Sequence, residues 1–133
     1  MIKFAVMTFM YNGWIQRGGT HEDLIRIVAQ AGADGVEAFC NPFMSNEALL
    51  KRYQQALAQN GIAMPVMDLI VNLAGSAPAH RQAAYETMRK GIDICSALGT
   101  EIVHIAGCSP VEGVSLSDSR KLIAEGLLDF ADE

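Results

Sequence analysis

The sequence is short of the features that would mark most ligand classes at a glance. Its three cysteines, Cys40, Cys95 and Cys108, are odd in number and widely spaced. That excludes a paired disulfide framework and the spacing of structural zinc, so reduced thiols are expected. Positive charge is scarce as well: ten Lys plus Arg stand against fifteen Asp plus Glu, a net −5. Without a basic stripe, duplex nucleic acid is excluded as the main partner. No apolar run approaches the roughly 18 residues of a membrane span, and the N-terminus has no secretion-signal pattern. A cytoplasmic protein without a membrane partner is therefore expected. Neither a G-x-G-x-x-G nor a phosphate-binding P-loop pattern occurs, which removes the sequence support for a nucleotide cofactor.

What is present is the composition of a globular chain with one core, 50% apolar and 19% charged. Residues 2–9 form a short run with β-branched and aromatic members and read as a buried strand. After a glycine-rich segment from Tyr11 to Gly19, Thr20 can cap a helix and Asp23 can answer it. Leu24, Ile27, Val28 and Ala31 would form the buried face of that helix. Gly32 stops it, and Gly35–Phe39 reads as a second strand.

The same punctuation returns twice. A second helix over residues 46–59, with Ser45 as its expected cap, stops at Asn60-Gly61 and feeds a strand over 62–69. A third helix, 78–98 with Pro78 in its first turn, stops at Gly99 and feeds a strand over 101–106. Gly32, Gly61 and Gly99 thus recur at about the length of a βα unit, roughly 30 residues or more. Strands alternating with helices of this length require a parallel sheet with right-handed crossovers, all helices lying on one side if the sheet winds steadily. That is how a barrel begins. Pro65 conflicts with a central strand and predicts either a bulge or a later start near Val66.

A fourth helix opens at Ser115 to Asp118, with Leu122, Ile123, Leu127, Phe130 and Ala131 as its apolar stripe, and no strand follows it. A complete barrel has eight units and usually more than about 200 residues. The expected fold is accordingly α/β, a parallel half-barrel of about four βα units. Residues 1–133 are read as the N-terminal half of a (β/α)8 barrel, cut within or after the fourth helix.

Three stretches carry a family resemblance: Ile2-Lys3-Phe4-Ala5-Val6, the run Gln30-Ala31-Gly32-Ala33-Asp34-Gly35-Val36-Glu37, and Leu98-Gly99-Thr100-Glu101-Ile102-Val103-His104-Ile105-Ala106-Gly107. In this order and spacing the chain resembles the xylose-isomerase-like barrels, which include sugar isomerases and epimerases and the endonuclease IV-type nucleases. The resemblance implies a pocket at the carboxyl ends of the strands that takes a sugar or polyol. It also implies a divalent metal (Mn, Mg, Zn or Co) in the complete barrel, held by two glutamates, an aspartate and a histidine from strands five to eight. None of those strands is in this sequence. The expected function is therefore the N-terminal portion of a divalent-metal-dependent sugar or polyol isomerase or epimerase, inactive alone, with no metal ligand in this chain. The alternatives are a zinc nuclease relative, against which the acidic balance and the lack of a histidine on the third strand argue, and a non-catalytic sugar-binding or scaffold protein.

Four residues are substrate-binding candidates. Period-two alternation turns Glu37 inward between Val36 and Ala38, and His104 inward between Val103 and Ile105. The resemblance gives both a pocket-lining role. Asp68 is the third, its face depending on how Pro65 bends the strand. Trp14, in the loop after the first strand, could stack on a sugar ring. Asn12 and Asn72 have weaker claims, and Cys108 has no base beside it to make it a nucleophile. His21 and His80 fall in first turns of helices, where exposure without function is expected. The methionines on strands read as core filler. Two open sheet edges and one unpartnered face predict self-association.

Overall fold

The computed structural model describes residues 3–131. Four strands, β1 (Ala5–Met7), β2 (Gly35–Phe39), β3 (Ala63–Ile70) and β4 (Ile102–Ala106), form one sheet in the order β1-β2-β3-β4. All three pairings are parallel. The helices are α1 (Asn12–Gln16), α2 (His21–Gln30), α3 (Glu47–Asn60), α4 (Pro78–Leu98) and α5 (Leu116–Leu128). The architecture is the expected partial barrel.

The helix boundaries follow from local chemistry. Oγ1 of Thr20 accepts from the Asp23 amide at 3.1 Å and its hydroxyl donates back to Asp23 Oδ2 at 2.8 Å. Ser115 and Asp118 repeat the arrangement, and both pairs satisfy first-turn amides that have no partner within the helix. Gly61 and Gly99 end α3 and α4 at φ 60° and 68°, the left-handed conformation that a side chain disfavours.

Val36, Ala38, Met67 and Leu69 bury against the helices. Among the described residues no helix lies over the other face: Ile70 and Ile102 are 47% and 57% exposed there. Gly91 lets α4 approach the sheet, since a Cβ there would come within 2.7 Å of Leu69 Cδ2.

Several local expectations change. The first strand is only Ala5–Met7, because Thr8–Tyr11 turns into a 3₁₀ segment and α1 follows in what read as loop; Ile2 lies outside the described residues. Asn46, not Ser45, caps α3, accepting from the Leu49 amide at 2.9 Å, since Asn41–Ser45 forms a 3₁₀ segment that ends there. The buried stripe of α2 is Leu24, Ile25 and Val28, and Ile27 is turned outward. In α5, Gly126 faces the core, where a Cβ would stand 3.2 Å from Leu73 Cδ2, and Leu127 is exposed. Pro65 does fall within β3, and the ladder shifts register beside it.

Candidate functional site

The register brings three of the four sequence candidates together. Phe39 of β2 pairs with Asp68 of β3, which pairs with His104 of β4. Glu37 stands two residues before Phe39 on the same face of β2, diagonal to Asp68. All three stand on the sheet face that the helices leave open.

Asp68 is the centre of the group. Its side chain is 3% exposed and its Oδ1 is hydrogen-bonded to Nδ1 of His104, whose own side chain is 63% exposed. The second oxygen, Oδ2, is buried and has no donor. Burial lifts the Glu37 carboxyl above its ordinary range, hydrogen bonding to Asp68 and the Asp68 charge lift it further, and His104 pulls the other way. A carboxyl beside a second carboxylate holds its proton more tightly than one standing alone. When protonated, the Glu37 carboxyl has a proton to offer Asp68. Chemically the group can accept and donate hydrogen bonds to a hydroxyl-rich ligand and can hold a mobile proton.

Trp14 takes a different place. It lies in α1, half-buried against the edge of the core, with its indole directly over Gly19. Asn12 lines a small recess of about 150 Å³ with Thr8, His21, Phe39 and Tyr53. A larger recess of about 480 Å³ lies on the outer side, bordered by Phe43, Leu50, Lys90 and Ile94, and includes none of the three clustered residues. His104 is exposed on the open sheet face, while Asp68 beside it is buried.

The structure corrects the reading of two histidines. His21 is half-buried and its Nδ1 is 3.0 Å from the Tyr53 hydroxyl; burial lowers its pKa. His80 is half-buried, with Nε2 2.7 Å from the Asn72 carbonyl oxygen. Both are structural partners of residues across the chain, which first-turn position alone does not reveal. Cys108 is half-buried with Sγ 3.7 Å from the Val71 carbonyl oxygen, and all three thiols are free.

Sequence reasoning missed Asn41 and undervalued Asn72. The Asn41 side chain donates to the Ile70 carbonyl and accepts from the Ile70 amide, both at 2.9 Å. Asn72 donates to the Ser109 carbonyl and accepts from the Ala74 amide, both at 3.0 Å. These side chains tie together the loops that leave the strands. Asn directly before Pro at a strand end was the available signal.

Among the described residues, no three His, Cys, Asp or Glu side chains are placed to cage a metal ion. Nδ1 of His104 is already engaged by Asp68. Among the described residues, the donors grouped here do not by themselves fit the divalent cation that such barrels imply. No described helix is long and apolar enough to cross a membrane.

Comparison with known proteins adds the following. The family model for the xylose isomerase-like TIM barrel matches residues 25–133. A 3-dehydroshikimate dehydratase from Pseudomonas putida is 27% identical over 109 residues, covering 82% of this chain and 17% of that protein. A D-psicose 3-epimerase, solved in the presence of D-fructose, superposes with a TM-score of 0.78 at 19% identity, covering 98% of this chain and 48% of the epimerase. A fusion protein joining a xylose isomerase-like TIM barrel to a 4-hydroxyphenylpyruvate dioxygenase superposes with a TM-score of 0.70 at 25% identity, covering 95% of this chain and 19% of that one. The chain thus spans less than a fifth of the curated relative and about half of the solved epimerase.

Proposed function

This chain belongs to the xylose isomerase-like TIM barrel family, and from that premise we propose that it supplies the first four βα units of a sugar or polyol isomerase or epimerase. The carrying observation is the group of Glu37, Asp68 and His104 on neighbouring parallel strands, on the open sheet face. Isomerisation or epimerisation of a ketose begins with removal of a proton next to a carbonyl, and positioned carboxylates and imidazoles perform that step. In this chain the three residues hold substrate hydroxyls and shape the pocket. The divalent cation belongs to this reading only through residues on other strands. By itself the chain is inactive.

A second reading rests on the 27% identity with the P. putida dehydratase. Dehydration of a hydroxy-carbonyl compound begins with the same proton abstraction, so the same three residues serve either outcome.

One experiment separates the two. The chain is titrated with D-fructose and, in parallel, with 3-dehydroshikimate, while side-chain NMR signals of Glu37, Asp68 and His104 are followed. Both mixtures are assayed for turnover with Mn²⁺ or Mg²⁺. Shifts with the ketose and no turnover are expected. A response to 3-dehydroshikimate alone moves the assignment to a dehydratase, and silence toward both ligands removes the carbonyl-polyol reading. Metal-dependent conversion by this chain overturns its inactivity.

The same architecture supports self-association. The outer edges of β1 and β4 have no strand beside them among the described residues, and Phe4, Ile70 and Ile102 expose apolar surface around them. Unpaired edges and uncovered apolar faces are the usual sites of strand addition.

A further inference from the structure

We infer that Glu37, Asp68 and His104 form a relay that fixes His104 in its Nδ1–H tautomer and presents Nε2, unprotonated, as the acceptor for a hydroxyl-bearing ligand on the open sheet face. The ligand class rests on the function proposed above; the Asp68–His104 bond rests on geometry, and Glu37 joins it through strand register and its raised proton affinity.

A neutral imidazole has one donor and one acceptor nitrogen, and the partner of one decides the state of the other. The partner here is an oxygen of Asp68, bonded to Nδ1. A carboxylate only accepts, so the proton of neutral His104 sits on Nδ1. Nε2 is then left with a lone pair on a side chain that is 63% exposed, whereas Asp68 is almost wholly enclosed.

The buried position of Asp68 favours any donor that reaches it. A buried carboxylate is costly without hydrogen bonds, and a lone unsatisfied oxygen costs about 1–3 kcal/mol. His104 serves Oδ1, and Oδ2 has no donor. The titratable groups facing Asp68 are Glu37 from β2 and His104 from β4; Met7, the β1 partner of Glu37, carries no charge. While Glu37 keeps its proton, its carboxyl can donate to Asp68 and leave one negative charge in the group; once that proton is lost, the Asp68–His104 bond alone sets the tautomer. Glu37 and Asp68 are positioning residues in this arrangement, and His104 is the residue that meets the ligand. When a ligand hydroxyl gives its proton to Nε2, the electron pair stays on the ligand oxygen and Asp68 balances the imidazolium.

The test is a long-range ¹H–¹⁵N correlation spectrum of the full chain at pH 8, with His104 identified by comparison with His104→Gln. Wild type is expected to show a protonated Nδ1 and a bare Nε2. Glu37→Gln, which leaves the Asp68–His104 bond in place, keeps that tautomer. Asp68→Ala moves the proton toward Nε2, and Asp68→Asn gives a mixture, because its amide can donate to Nδ1. A wild-type proton on Nε2, or an unchanged tautomer in a folded Asp68→Ala or Asp68→Asn chain, overturns the relay. Adding D-fructose is expected to shift Nε2 more than Nδ1. An intact tautomer pattern without that response leaves the relay standing and sinks its ligand.

Discussion

Gly35 and Pro65 touch where β2 meets β3: a Cβ on Gly35 would lie 2.7 Å from Pro65 Cδ and 3.1 Å from the Ala63 carbonyl oxygen. Beside them the pairing passes from Gly35 with Ala63 to Glu37 with Val66, one residue more on β3 than on β2. This is a bulge, which accommodates a residue that has no amide to donate. Without it, Phe39 would pair with Met67, and Asp68 would turn to the helix side. Gly35→Ala is therefore expected to lower stability by about 1–3 kcal/mol through overpacking. Urea unfolding measures it, and a midpoint equal to wild type would contradict the contact.

Asn41 continues the β2–β3 ladder two residues past Phe39, the last residue of β2, using a side chain in place of backbone. Asn41→Ala removes two hydrogen bonds at a half-exposed site, a loss of about 1 kcal/mol. Hydrogen exchange should report it locally, with faster exchange of the Ile70 amide and unchanged rates in α2.

The Glu37 carboxyl binds its proton more tightly in the folded chain than at its ordinary value of 4.5, chiefly through burial and then through Asp68. The sign follows from linkage. Its favourable contribution is complete below pH 4.5 and disappears as pH rises through the folded-state value. Glu37→Gln cannot titrate and lacks this decline. Thermal unfolding between pH 4 and 8 should show wild type losing ground to Glu37→Gln as pH rises; a constant difference would refute the raised affinity.

Sedimentation should show concentration-dependent association of the chain, weakened by charged substitutions on the open face such as Ile102→Lys. A sharp monomer at all concentrations, with two-state unfolding, would count against the uncovered edges being adhesive.

The parallel order of strands was legible because glycine stops and apolar runs repeat along the chain, and Gly61 and Gly99 take the left-handed conformation that the repeat demanded. Glu37 and His104 were legible from simple alternation. Asp68 was only half so, because its direction depends on a bulge whose cause is a contact between Gly35 and Pro65, distant in sequence. The roles of His21 and Asn41 were hidden for the same reason: their partners, Tyr53 and Ile70, are 32 and 29 residues away. Which face of α2 turns inward is likewise settled by packing, since the apolar positions of that helix allow either Ile25 or Ile27 to be buried.

The uniform polarity of the sheet also restricts how two copies could complete a ring. Among the described residues its free margins are β1 and β4, and every strand runs the same way. Only a half-turn about an axis parallel to the cylinder sets β4 of one molecule beside β1 of the other with direction preserved at both seams. Any perpendicular dyad would reverse one copy. Such a ring would carry two imidazoles at one rim, facing each other across the lumen.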